Sequence, residues 1–278
     1  MSAAIRPIGR GELQNIGGAK GASPRMPVLF VGHGNPMNAI ENNAFTRTWR
    51  AVGTQIPRPR AILSISAHWL TPGSTRVTTT DTPETIHDFW GFPQALYEER
   101  YPAPGAPDTA EETRRLIKAP EVLADSTRGL DHGTWSVLGP MFPLADIPVF
   151  QLSIDYDQPP AFHFELGRQI MALRDRGVLI IGSGNIVHNL GAMRMGEAPY
   201  DWAIEFDGLI GRWLEQGNVH AIVEFQELGN LAAMAQPTHD HYLPLLYVVG
   251  ARHERDSLEF FNTAIDLSSV SMRSVLYT

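Results

Sequence analysis

The chain has 278 residues, a formal net charge of -8 and no cysteine. Without thiols there is no disulfide framework, no thiolate metal site and no cysteine nucleophile, so any bound metal must be held by His, Asp or Glu. An acidic chain without a basic run also lacks what phosphate neutralisation requires, which excludes nucleic acid as the expected partner and points to a small molecule.

A hydrophobic fraction of 43% and a charged fraction of 19% are those of an ordinary globular protein, and the length suits a single α/β domain. No segment approaches transmembrane length. Residues 1–25, rich in Gly, Ala and Ser, lack the apolar core of a signal peptide and are expected to be a flexible or extra N-terminal segment before one domain spanning 26–278. A cytoplasmic location follows by default.

In chain order, the first element is the apolar run 28–31, which stops at Gly32-His33-Gly34 and reads as a buried strand ending in a loop. The pattern recurs at 61–65, with His68 just past the end. Residues 80–107, heavy in Pro, Gly and aromatics, read as a long loop over a pocket. A strand is expected at 148–154, ending at Asp155, and a helix at 162–174. The third strand-then-histidine unit follows, with 178–181 running through Gly182-Ser183-Gly184 to His188. Residues 201–235 read as two amphipathic helices broken around Gln216-Gly217-Asn218, 241–249 as another helix, and 268–277 as a closing strand. The expected fold is a mostly parallel or mixed sheet flanked by helices. Such sheets carry ligands outside the carboxyl ends of their strands, where His33, His68 and His188 fall.

Ten histidines must be told apart by position. His33 is flanked by glycines that let backbone and metal approach closely, and His68 repeats its placement. His188 can ligate a metal or act as an acid/base, and spacing does not choose between them. His241, at the start of a helix, is preferred over His239 in the preceding loop. His132 stands in LDHGTW, where Asp131 is expected to orient its ring, and His87 in the loop either contacts substrate or braces the loop. His163, His220 and His253 lack such context. There is no H-E-x-x-H, no G-x-S-x-G and no P-loop, and Val187 breaks any G-x-G-x-x-G after Gly182.

The motifs GHGNP, SAHW, TIHDFWGFPQALY, LDHGTWSVL, GNIVHNL and HYLPLLYVVGA, in this order from residue 26 onward, make the chain resemble the 4,5-DOPA extradiol dioxygenase family of LigB-like, class III ring-cleavage enzymes. The resemblance implies a catalytic domain over 26–278 and a non-haem metal site, Fe(II) for activity with Zn(II) as an alternative occupant. It places metal-binding histidines at His33, His68 and His241, with His188 as either a metal-site residue or the acid/base, and His132 as a catalytic histidine beside the substrate. It implies ring opening of a catechol by O2 to a muconic semialdehyde. An all-histidine set differs from the two-His, one-carboxylate arrangement of the wider superfamily and is softer, which suits zinc as well as iron.

His87, Phe89 and Trp90 are the expected substrate-binding residues, with Phe92 and Tyr97 as further loop aromatics. The partners expected are the catechol and O2, without membrane or nucleic acid, and the protein is expected to be a monomer or a dimer. The alternatives are a zinc metallohydrolase, since a histidine site can also activate water, and a non-catalytic, Memo-like binding protein.

Overall fold

The computed structural model describes residues 25–278. Its centre is a six-stranded sheet built from β1 (Val28–Gly32), β2 (Ala61–Ser66), β5 (Val149–Gln151), β6 (Val178–Gly184), β7 (Leu258–Phe261) and β10 (Ser274–Tyr277), in the order β5-β2-β6-β1-β10-β7. The first four of that order run parallel, and β10 and β7 close the sheet antiparallel.

The central strands are apolar at consecutive positions because both of their faces are covered. Val28 and Phe30 of β1, Leu63 and Ile65 of β2, and Ile180 of β6 enter one core. That core is shared with α5 (Pro160–Ile170), α6 (Asp201–Gln216) and α9 (Leu243–Ala251). Their alternating neighbours Leu29, Val31, Ile62, Leu179 and Ile181 enter the other, against α1 (Ala44–Gln55) and α4 (His132–Met141). The result is a three-layer α/β sandwich, in agreement with the expected mixed sheet flanked by helices.

Several elements differ from the sequence reading. The strand expected at 148–154 is hydrogen-bonded as β5 only over Val149–Gln151, although Leu152 and Ile154 continue it as isolated bridges to Val77 and Leu70. The helix expected at 162–174 ends at Ile170 and tightens into a 3-10 turn, Met171–Arg176, that stops where Gly177 adopts φ 77. Residues 201–235 hold more than two helices: α6 is followed by α7 (Val219–Val223), a 3-10 turn and α8 (Asn230–Ala235). The long loop at 80–107 contains a short helix, α2 (Gln94–Glu98), and leads into α3 (Pro107–Leu116).

A small parallel pair, β3 (Thr75–Thr78) with β4 (Val122–Asp125), lies outside the main sheet. The closing strand is interrupted: β8 (Ile265–Asp266) pairs with β9 (Val270–Ser271), and only β10 joins the main sheet. The N-terminal segment expected at 1–25 lies, apart from Arg25, outside the described residues. No helix among the described residues is long and apolar enough to cross a membrane.

Candidate metal centre and active site

Three strand-then-histidine units become neighbours because β2, β6 and β1 are adjacent and parallel. Their ends are level: Gly32 pairs with Gly184 and Ser66 with Ser183. His33, His68 and His188 therefore leave the same edge of the sheet. His241 reaches that edge because the chain entering α9 lies directly on β6. A Cβ at Gly184 would collide with the His241 carbonyl oxygen, and one at Gly182 with that of Pro244. Gly182-Ser183-Gly184, expected as a turn after the strand, is instead the end of β6 itself, and its glycines serve close packing of the His241 segment. His132 arrives from the other face of the sheet as the first residue of α4, whose N-cap is Asp131, accepting from the Thr134 amide at 3.1 Å.

His33, His68 and His132 each present a side-chain nitrogen within 4.8 Å of the others, a three-histidine arrangement able to hold a metal ion. The His33 and His68 Nε2 atoms are 3.2 Å apart. With metal–nitrogen bonds of about 2.0–2.1 Å, two nitrogens of one coordination sphere stand roughly 3–3.4 Å from each other, so the spacing suits a shared ion. The ring of His241 lies 5.2 Å from that of His33 and 4.9 Å from that of His68, centroid to centroid.

Hydrogen bonds fix the tautomers. The Ser183 hydroxyl donates to the Gly133 carbonyl, so it must accept from His33 Nδ1–H at 3.0 Å, leaving Nε2 of His33 bare. The Asp240 carboxylate accepts from His241 Nδ1–H at 2.6 Å, leaving Nε2 of His241 bare as well. That atom is buried without a hydrogen-bond partner among the described residues, a costly condition that a cation would relieve.

Burial, reinforced by the neighbouring histidines, holds His33 and His68 well below the usual imidazole range. Neutral rings are what metal ligation requires. Burial would raise Asp240, but the hydrogen bond from His241 reverses this and holds the carboxyl low.

His188 lies flat on His241, with centroids 3.4 Å apart and planes 10° from parallel. An imidazole binds a metal in its ring plane, so in this arrangement one ion cannot be in line with both rings. Burial pushes His188 down to about 2, and the adjacent His241 adds to the effect.

The loop aromatics separate. Phe89 stands edge-on to His132 at 5.5 Å and packs with Phe92 and Tyr97. His87 is turned away to the Glu99 carbonyl and Arg100, bracing the loop, and Trp90 is 87% exposed.

Sequence reasoning gave the orienting role beside His132 to Asp131, and the structure corrects it. Asp131 is occupied in capping α4 and in a 2.7 Å bond from the Gln151 amide. The carboxylate facing the His132 ring is Asp88, 2.9 Å from Nδ1. Asp88 carried no signal beyond standing next to His87. Ser183, which lacks the surroundings of a nucleophile elbow, gave no sign in the sequence of its contact with His33.

A mixed α/β sheet with histidines converging at the ends of its parallel strands presents an imidazole set able to hold a metal ion. Residues 26–272 match the family described as the catalytic LigB subunit of aromatic ring-opening dioxygenase. The chain is 47% identical over 260 residues to the 4,5-DOPA dioxygenase extradiol of Escherichia coli (strain K12), covering 91% of this chain and 95% of that protein. It is 36% identical to the protein of the same name from Beta vulgaris, covering 90% and 96%. A crystal structure of an uncharacterized protein from Escherichia coli K12 superposes with a TM-score of 0.79 at 39% identity, covering 91% of this chain and all of the other. The chain belongs to the LigB family and is an extradiol aromatic ring-opening dioxygenase.

Proposed function

We propose that the protein opens a catechol ring beside its two hydroxyls, using O2, to give a muconic semialdehyde, with a DOPA-like or similarly substituted catechol as substrate. The observation that carries this reading is the clustering of His33, His68 and His241, with the His241 ring 5.2 Å from that of His33 and 4.9 Å from that of His68, and with His33 and His241 held in tautomers that present a bare Nε2. Relatives named for 4,5-DOPA extradiol cleavage support the substrate class.

His33 and His68 would hold the metal together with His241, whose bare Nε2 has no partner among the described residues, in preference to the neighbouring His132, whose ring faces Asp88; Fe(II) is the ion that fits the reaction. When bound there it supplies Lewis acidity and the one-electron chemistry that reaction of a catechol with O2 demands. The same nitrogen set suits Zn(II), which lacks the redox step.

The remaining histidines serve the substrate. His132, at the entrance to α4 and facing Asp88, takes a hydroxyl proton as the catechol docks, and the resulting imidazolium returns it later in turnover. His188, kept neutral, offers a hydrogen bond to a substrate oxygen while its face supports His241. Phe89 forms the aromatic wall beside His132. His87 holds that wall from behind, and Trp90 stands at the outer rim.

A panel of catechols supplied with Fe(II) and, separately, Zn(II) tests the reading. Yellow ring-opened product with Fe(II) and none with Zn(II) is expected. Turnover with Zn(II) that persists without oxygen would replace the dioxygenase reading with a hydrolytic one.

A further inference from the structure

Asp88 faces two of the clustered histidines from the loop side. Its Oδ1 accepts the backbone N–H of His132 at 3.0 Å and also lies 2.9 Å from Nδ1 of the same residue. Its Oδ2 is 3.9 Å from Nδ1 of His68, whose ring is 3.8 Å from that of His132, centroid to centroid. One side chain thus faces the outer nitrogens of two clustered histidines. A carboxylate is thereby set against both rings, with its Oδ1 on His132 and its Oδ2 toward His68.

The same residue joins the loop to the core. On either side of Asp88 are His87, which braces the loop, and Phe89, which stands against His132. Just before it, Ile86 donates its N–H to the Leu130 carbonyl at 2.7 Å and accepts from the Trp135 indole at 2.8 Å. The loop is therefore stitched to both sides of His132, with Asp88 as the charged stitch. The Nδ1–Asp88 contact is close but not aligned as a hydrogen bond, so the backbone N–H supplies the directional anchor and the carboxylate supplies the field.

We propose that Asp88 is a positioning residue: it keeps a proton of His132 on Nδ1, so that Nε2 faces the substrate, and it locks the Phe89 wall to that histidine. An imidazole with Nδ1–H toward a carboxylate is oriented to accept a proton on its other nitrogen. In the transfer, the bond from the catechol hydroxyl oxygen to its hydrogen breaks, the hydrogen joins His132 Nε2, and the oxygen keeps the electron pair. The imidazolium so formed has its counter-charge already in place. The activity part of this proposal rests on the dioxygenase reading, whereas the tautomer part does not.

The test uses the full chain loaded with zinc for spectroscopy and with Fe(II) for kinetics. Asp88→Asn keeps a side-chain acceptor for the His132 backbone N–H while removing the charge, and Asp88→Glu restores it. Imidazole nitrogen NMR, with the His132 signal assigned by its loss in His132→Gln, is expected to show Nδ1–H in the wild type and loss of that preference in Asp88→Asn. Metal content should stay unchanged. On Fe(II), kcat should fall by about 100-fold with KM within about threefold, and Asp88→Glu should recover part of it.

An unchanged His132 tautomer in Asp88→Asn overturns the proposal, as does a kcat loss that only tracks lost metal. If the wild type opens no catechol, the dioxygenase reading fails, and the tautomer comparison still decides the role of Asp88.

Discussion

His188 and His241 are stacked, with centroids 3.4 Å apart and planes within 10° of parallel, and only His241 has its outer nitrogen hydrogen-bonded to a carboxylate. On the proposed reading these two residues at one edge of the sheet do different work, His188 bracing and His241 ligating. Replacing each in turn should separate the two roles. His241→Ala is expected to lose stoichiometric metal, whereas His188→Ala should keep its metal and lose kcat by about 100-fold. Metal analysis of both purified variants, followed by kinetics on the second, checks this.

Asp240 anchors His241 through the 2.6 Å bond to Nδ1. Carboxylates behind metal-bound histidines fix the ring and raise its basicity, so Asp240→Asn should weaken metal binding by about 10–100-fold without unfolding the chain. Titration of the metal-free protein with Zn(II) or Fe(II) measures the shift. Equal affinity would mean that His241 needs no such anchor.

Ser183 is fully buried between His33 Nδ1 and the Gly133 carbonyl. Ser183→Ala strands both partners, which should cost about 1–3 kcal/mol in stability. It should also weaken metal binding by about tenfold, because the His33 tautomer is no longer enforced. Denaturant unfolding and metal titration report the two effects independently.

Gly184 touches the backbone of His241. Gly184→Ala must push the entrance of α9 away from β6, with an expected cost of about 1–3 kcal/mol and a loss of metal affinity that exceeds the loss of stability. If the variant binds metal as the wild type does, the placement of His241 does not depend on this contact.

Away from the site, His163 is completely buried with Nδ1 against the Tyr247 hydroxyl at 3.0 Å, and burial pushes it from 6.5 down to about 4. Between these values the unfolded chain binds a proton that the folded chain refuses. Stability from this residue is therefore full above pH 6.5 and is lost as pH falls toward 4, by an upper bound of about 3 kcal/mol. Comparing wild type with His163→Asn by denaturant unfolding across this window should show a shallower decline in the variant.

The sequence carried the parallel core and the placing of three histidines at one edge of it because both are local signals. β1, β2 and β6 are apolar without alternation, and His33, His68 and His188 stand directly after them. What could not be read depends on contacts far apart in the chain. Asp88 meets His132 across 44 residues, and Ser183 meets His33 across 150. Asp131 was misread because a carboxylate beside a histidine resembles an orienting partner, whereas a helix start claims it as an N-cap. The pair β3 and β4 escaped notice because TRVT and VLAD are only four residues each, too short for periodicity to register.

The most direct test of the central claim is to follow dissolved oxygen and product together during turnover of a catechol by the Fe(II)-loaded protein. One O2 consumed per ring opened, with a product carrying one aldehyde and one new carboxylate, is the predicted result. Turnover without oxygen, or a product with two new carboxylates and no aldehyde, would contradict it.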